Sequence, residues 1–524
     1  MTHRFALAAL GLALLAPEAI AQTPDAAEDP ALVQRYQATI TPAELAGHLY
    51  VYADDYMAGR DTGEPGQRFA ATYLAGQYAT MGVTPMGTAE ATNYGVDGYR
   101  QPFMLDNKRM VSMNYSVTRG GAEIMTGAIP LAGDAMLNLI PFRGEITDAS
   151  PAPLVWAGDG SDVDDLDVRD AYVMFAVTDQ ASMMPTAQKF MDMGARAVVL
   201  PASPTVDRFQ RMASGLTRGR LALPSPEASG DDPVILLTGL DVASMMVGKE
   251  GMTAEDFTAM EAGPTGAMIS VSIEYENNQV ETENVVAMVE GSDPLLKDEF
   301  VIISAHLDHV GTRDVEEGED GIFNGADDDG SGTISILEIA EAFQTAAADG
   351  NGPRRSILFL HVTGEEKGLL GSAYFADMEP LVPLEQTVAN LNIDMIGRYD
   401  PERRFDTTDY VYIIGGDLIS QDISDWNETV NDVTGTELLL SDRFNSPDDP
   451  NQFFRRSDHW NFGKHDIPFI FYFTGTHEDY HAVGDSPDKI DYDRMAKISR
   501  LVFGTAWHIA NTDERPAVSG VGFN

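Results

Sequence analysis

The densest chemistry in this 524-residue chain lies in Asn324-Gly-Ala-Asp-Asp-Asp-Gly-Ser-Gly332, three consecutive carboxylates between small residues. Small residues let the backbone turn tightly and bring side chains together, so the loop reads as a cation site or a solvated turn. Other donors follow apolar runs. His306-Leu-Asp308 follows Phe300 to Ala305, Glu365 and Glu366 follow Ser356 to Val362, Asp394 follows Val388 to Ile393, and His477 and His481 follow Ile467 to Phe473. In open α/β sheets, sites lie beyond the carboxyl ends of the strands, so these positions are expected to converge. The chain has no Cys, which leaves His, Asp and Glu as zinc ligands. Five such donors with one carboxylate shared suit two divalent zinc ions about 3.5 to 4 Å apart. Adjacent carboxylates at Glu365 and Glu366 allow one to hold metal while the other moves a proton.

The elements that must position these donors are apolar runs alternating with helical patterns. Helices are expected over Thr333 to Phe343, with Ser331 as a cap, and over Leu369 to Met378 and Asp491 to Asn511. A further strand is expected at Val411 to Ile414. Continuously apolar strands between helices imply an α/β fold, a mostly parallel mixed sheet flanked by helices. Near the start, Thr41 has a capping look. A helix over Gly66 to Gly82 is expected to bury Phe69, Ala70, Tyr73 and Leu74 on one face. Between 131 and 271 the texture shifts to short apolar runs broken by Gly, Pro and Asp, the pattern of a smaller β-rich or α/β insertion. Its Asp159 to Asp170 turn lacks the order of a calcium loop and reads as a solvated hairpin.

Residues 1–21 read as a cleavable signal peptide: Arg4, the apolar run Phe5 to Ala16, then Ala19-Ile-Ala21. The run is too short for an ordinary spanning helix, so an exported, periplasmic or secreted chain without a membrane span is expected. The expected division is 1–21 signal, 22–130 with 272–515 as a discontinuous main domain, 131–271 inserted, and 516–524 as tail. With 82 acidic against 34 basic residues and a formal charge of −48, nucleic acid and anionic membrane surfaces are excluded as partners.

Taken together, His306-Leu-Asp308, Gly325 to Gly332, Gly364-Glu-Glu-Lys-Gly-Leu-Leu-Gly-Ser372, Asn392-Ile-Asp-Met-Ile-Gly397 and Tyr480-His481 resemble the co-catalytic di-zinc aminopeptidases of the bacterial leucyl aminopeptidase type, with a zinc exopeptidase fold. The resemblance runs from about Leu45 to Trp507, and the insertion looks like the protease-associated domain of that family. It implies two zinc ions: Asp328 as the bridge, His306 and Asp394 completing one site, Glu366 and His481 the other. It further implies Glu365 as general base working on a metal-bridging hydroxide, Asp308 orienting His306, and a cis peptide between Asp328 and Asp329. Peptides are then the implied substrates. A carboxypeptidase or dipeptidase on the same scaffold is the alternative, and from another class a receptor-like binding protein, which would lack ligands.

Two decoys remain. His477-Glu-Asp-Tyr-His481 spells H-E-x-x-H, a zinc signature that needs a helix to align both imidazoles, and the Gly475, Gly484 and Pro487 around it forbid one of ordinary length. Ser457-Asp-His-Trp460 suggests a triad but has no nucleophile turn, so Asp458 is expected as support beside the site. Phe453, Phe454, Trp460 and Tyr480 are the candidate substrate pocket. Arg455 and Arg456 are candidates to pair with a substrate carboxylate. His309, His361 and His459 receive no role from the sequence.

Overall fold

The computed structural model describes residues 29–518 apart from 91–94, 130–137, 147, 162, 164, 203–211, 213–214, 218 and 225–232. The expected leader at 1–21 and positions 519–524 of the expected tail lie outside the described residues. The chain forms two compact units, Met1–Pro102 with Glu283–Asn524, and Phe103–Thr282. The limits 131 and 271 drawn from texture fall inside the second unit. Strands Arg100–Arg119 and Gly263–Val289 run through the two boundaries unbroken, so no turn signal marks them.

In the first unit, strands Ser356–Val362, Phe300–His306, Thr387–Ile393 and Phe469–Phe473 lie side by side and parallel, with Ile302 between Leu358 and Asn390. Val285 to Val289 adds antiparallel at one edge. At the other, Tyr410–Gly415 adds antiparallel to Phe469–Phe473, and Leu439–Ser441 pairs parallel with it. Successive side chains on a strand point to opposite faces, and both faces here are apolar. Val301, Ile303, Ile357 and Phe359 join one core with helices Pro42–Tyr52, Pro65–Met81, Gly332–Ala348 and Tyr492–Asn511. Ile302, Leu358 and Leu360 join another with Phe375 and Phe462. Every residue of Ser356–Val362 and Thr387–Ile393 is buried, and the polar Asn390, Asn392 and His361 among them hydrogen-bond to Ser304, Ser457 and Tyr78. Among the described residues, no helix is long and apolar enough to cross a membrane.

Helix details depart from expectation in two places. Pro65–Met81 ends at a left-handed Gly82, yet its buried face is Ala70, Ala71, Leu74, Ala75 and Tyr78, while Phe69 is 59% exposed. Ser331 does not cap Gly332–Ala348. Its hydroxyl donates back to the Asp327 carbonyl and carboxylate, and the Gly332 N–H is taken by Asp329 Oδ1 at 2.9 Å. A carboxylate at a helix N-terminus satisfies an otherwise orphaned donor and favours the helix dipole.

In the second unit, Ala152–Trp156, Tyr172–Met174, Ala197–Ala202 and Ile235–Gly239 form a parallel series, with Leu139–Arg143 and the early part of Gly263–Val289 antiparallel at its edges. Helix Met183–Asp192 packs Ala187 and Phe190 into a core containing Val173 and Val198.

Candidate metal centre

Because the central strands run parallel, their carboxyl ends share one edge. His306 is the last residue of its strand, Asp394 directly follows Thr387–Ile393, and the Glu365-Glu366 turn follows Ser356–Val362. Asp328 enters from the acidic loop ahead of helix Gly332–Ala348, and His481 from the loop after Phe469–Phe473. His306 Nε2 lies 3.2 Å from Asp328 Oδ1 and 3.8 Å from Asp394 Oδ1. His481 Nε2 lies 3.0 Å from Asp328 Oδ2 and 3.1 Å from Glu366 Oε2. The two oxygens of Asp328 therefore face two separate donor groups.

The loop that presents Asp328 is held by its neighbours. Its Asp328–Asp329 peptide is cis. Asp329 accepts the His306 N–H at 3.1 Å and the Met395 N–H at 3.2 Å, tying two strand ends together. Asp327 accepts the Gly397 N–H at 2.6 Å, and Asp485 accepts the N–H groups of Asp327 and Asp328 at 3.0 and 3.1 Å. Buried Arg60 donates to the carbonyls of Leu307, Asn324 and Gly325 at 3.1, 2.6 and 2.8 Å. Asp308 accepts the Glu365 N–H at 3.2 Å and the Thr62 hydroxyl at 2.7 Å. His306 Nδ1 is nearer the Asp308 carbonyl, 3.1 Å, than its carboxylate, 3.7 Å. Asp458 accepts the Ser372 hydroxyl, and burial pushes its carboxyl up to about 7.

Burial alone would lower the His306 pKa, but Glu365, Asp308, Asp328 and Asp394 hold it well above the ordinary value. Asp328 and Glu366 raise His481 in the same way, against burial, to about 10. Burial, then Glu366, Asp458 and Asp394, push Glu365 well up despite His306. The cluster thus calls for positive charge. His306, Asp328 and Asp394 place one donor atom each within 4.8 Å of one another, as do His309, Asp328 and Glu366. His309 Nδ1, His309 Nε2 and Glu366 Oε1 are buried with no hydrogen-bond partner. Hard oxygens and imidazole nitrogens, buried and short of partners, fit zinc.

His309 is the residue that sequence reasoning missed. It follows the His306-Leu-Asp308 pattern directly, but no spacing rule separates it from His361 and His459. Those are core residues: His361 Nε2 pairs with the Tyr78 hydroxyl at 2.7 Å, and His459 stacks on Phe471 with ring centroids 4.6 Å apart.

Beside the cluster a cavity is lined by Glu365, Met395, Phe453, Arg456, Phe471, Phe473, Thr476 and Tyr480, together with Asp328, Asp394 and His481. Of the four expected pocket residues it includes Phe453 and Tyr480. Phe454 and Trp460 are not in this lining; their rings pack 6.1 Å apart, and Phe454 lies 6.3 Å from Phe469. Phe471 and Phe473 sit in a strand that reads as sheet core, which concealed them.

The H-E-x-x-H stretch is a turn rather than a helix, with His481 at φ +52°. His477 Nε2 faces Asp327 Oδ2 at 3.2 Å, away from the His481 group, and Glu478 pairs with Arg398 at 3.5 Å. The two imidazoles do not share one site.

Residues 284–506 match the family model described as Peptidase family M28. A probable leucine aminopeptidase 2 from Aspergillus oryzae is 30% identical over 256 residues, 44% of this chain and 45% of that protein. A probable glutamate carboxypeptidase from Arabidopsis thaliana is 28% identical over 177 residues, 33% of this chain and 24% of that protein. The chain spans less than half the length of either relative. Among solved structures, an aminopeptidase from Aneurinibacillus sp. strain AM-1 aligns with a TM-score of 0.56 at 17% identity, covering 93% of this chain and 98% of that one, a likeness of fold.

Proposed function

We propose that the chain, whose residues 284–506 match the model of Peptidase family M28, is an exported di-zinc aminopeptidase that removes N-terminal residues from peptides. The observation that carries this reading is Asp328, whose two oxygens face two donor groups beside a cavity that also contains Glu365. His306 and Asp394 with Asp328 would hold one zinc, and Glu366 and His481 with Asp328 the other. When bound, zinc supplies Lewis-acid polarisation of a carbonyl and a lowered pKa for attacking water.

The chain's own residues do the rest. Glu365 takes the proton of the attacking water and returns it to the leaving amine, a role suited to a carboxyl whose pKa is pushed upward by burial and by its acidic neighbours. Asp308 anchors the Glu365 backbone while its carbonyl meets His306 Nδ1, so acid and imidazole are positioned by one residue. Met395, Phe453, Phe471 and Phe473 offer an apolar wall for the substrate side chain. Export rests on the composition of residues 1–21, and the insertion expected at 131–271 is read as a protease-associated module.

A second reading, a carboxypeptidase or dipeptidase, is favoured by Arg456. Its guanidinium lines the same cavity and bonds the Tyr480 hydroxyl at 3.3 Å and the Asn451 carbonyl at 3.4 Å rather than a carboxylate. A panel of leucine-headed peptides with free or acetylated amine, and free or amidated carboxyl, separates the two. An aminopeptidase loses at least about 100-fold in kcat/KM on acetylation, because a site built around a polar group rejects the analogue lacking it. Indifference to acetylation with loss on amidation would replace the first reading by the second.

A further inference from the structure

We propose that His309 is a protein ligand of the second metal site, giving that site four donors, Asp328, Glu366, His481 and His309, against three on the His306 side. The inference rests on the zinc reading above and deepens it.

His309 is fully buried, and neither ring nitrogen has a hydrogen-bond partner. An imidazole left so in a protein interior is disfavoured, so its position needs a reason. Its Nδ1 lies 3.0 Å from Glu366 Oε1 and 3.8 Å from Asp328 Oδ2. Glu366 Oε1 is itself without a hydrogen-bond partner. The two atoms are close without being aligned as donor and acceptor, which is the relation of two ligands to a common cation. The ring meets His481 edge-on, centroids 5.7 Å apart, so both imidazoles border the same carboxylates.

The backbone is shaped to admit this ring. A Cβ at Gly325, which sits at φ +60°, would come within 2.6 Å of the His309 ring carbons. The His309 N–H is fixed to the Arg60 carbonyl at 3.2 Å. The Arg60 guanidinium also bonds the Gly325 carbonyl, so one residue sets both, the imidazole's backbone through its carbonyl and the turn beside it through its side chain.

A zinc site filled by four protein donors is of the closed, structural kind, whereas three donors leave a position for water or substrate. The two halves of the centre would therefore differ in protein donors, four on the His481 side and three on the His306 side.

Zinc titration of the metal-free full chain against a chromophoric chelator tests this without measuring turnover. Wild type should bind two ions with unequal affinity. In His309→Ala and in His309→Asn, whose amide can still donate to Glu366 but ligates zinc poorly, the tighter constant should weaken by at least about 10–100-fold. The other should stay within about threefold, which also shows that the variants are folded. Wild-type constants in His309→Asn would make His309 a hydrogen-bond donor to Glu366, and equal weakening at both sites would mark a general disruption; either result overturns the inference. A wild-type chain that takes up no zinc would overturn both the inference and the di-zinc reading, whereas two equal, His309-independent sites would overturn the inference alone.

Discussion

Glu365 and Glu478 are both acids next to a candidate metal ligand in the sequence, and only their surroundings tell them apart. Glu365 lines the cavity with Asp328 and Asp394, while Glu478 is exposed and pairs with Arg398. Glu365→Gln should lower kcat by about 10²–10⁴-fold with zinc content unchanged, the usual worth of a positioned proton carrier. Glu478→Gln should stay within about twofold of wild type, as surface changes do. Steady-state kinetics beside metal analysis decides, and a reversed order would move the base to the H-E-x-x-H turn. The convergence of the candidate donors His306, Asp328, Glu366, Asp394 and His481 was legible because each ends or follows a strand or precedes a helix, so topology brings them to one edge. His309 was not, since its contact with Glu366 depends on how the chain turns after Asp308 around Arg60, which no local pattern records.

Among the elements, the parallel strands and the long helices were legible from apolar runs and periodicity. The antiparallel joining of Tyr410–Gly415 was not, because strand direction leaves no mark on composition. Nor does periodicity reveal that helix Gly332–Ala348 buries an acid. Glu338 faces helix Pro42–Tyr52, its Oε1 3.4 Å from His48 Nε2, while His48 Nδ1 meets the Tyr73 hydroxyl at 2.6 Å. Burial, with Glu44 and Glu341 nearby, pushes the Glu338 carboxyl up to about 8. An acid raised on folding binds its proton more tightly in the native state, so its contribution is complete below the unfolded value, about 4.3, and is lost as pH rises through about 8. Glu338→Gln should therefore come closest to wild type near pH 4 and be more stable near pH 9 by roughly 1–2 kcal/mol, after allowing for water near His48. Urea denaturation at the two pH values measures it. A gap that does not change with pH would show that Glu338 ionises freely.

For the whole molecule, the charge of −48 is spread along the chain, but its costliest share is the buried group of Asp327, Asp328, Asp329, Asp394, Asp458 and Asp485 at one sheet edge. His306 and His481 are imidazoles that face these acids. His481, raised to about 10, contributes stability that is complete below its unfolded value, about 6.5, and is lost as pH climbs through about 10. Bound zinc would take the place of that proton and should remove the dependence. Metal-free protein is expected to lose stability steadily from pH 7 to pH 10 while the zinc-loaded protein does not, so the gap between them widens with pH. At free zinc 100-fold above the dissociation constant, each site should add about 2.7 kcal/mol. Denaturation curves read from intrinsic fluorescence, taken with zinc and after chelator, measure the gap. Raising sodium chloride instead should stabilise both forms by a similar amount, because salt screens exposed charges more than buried ones. If salt alone closed the gap, the acids at the sheet edge would be a solvated cluster rather than a metal centre.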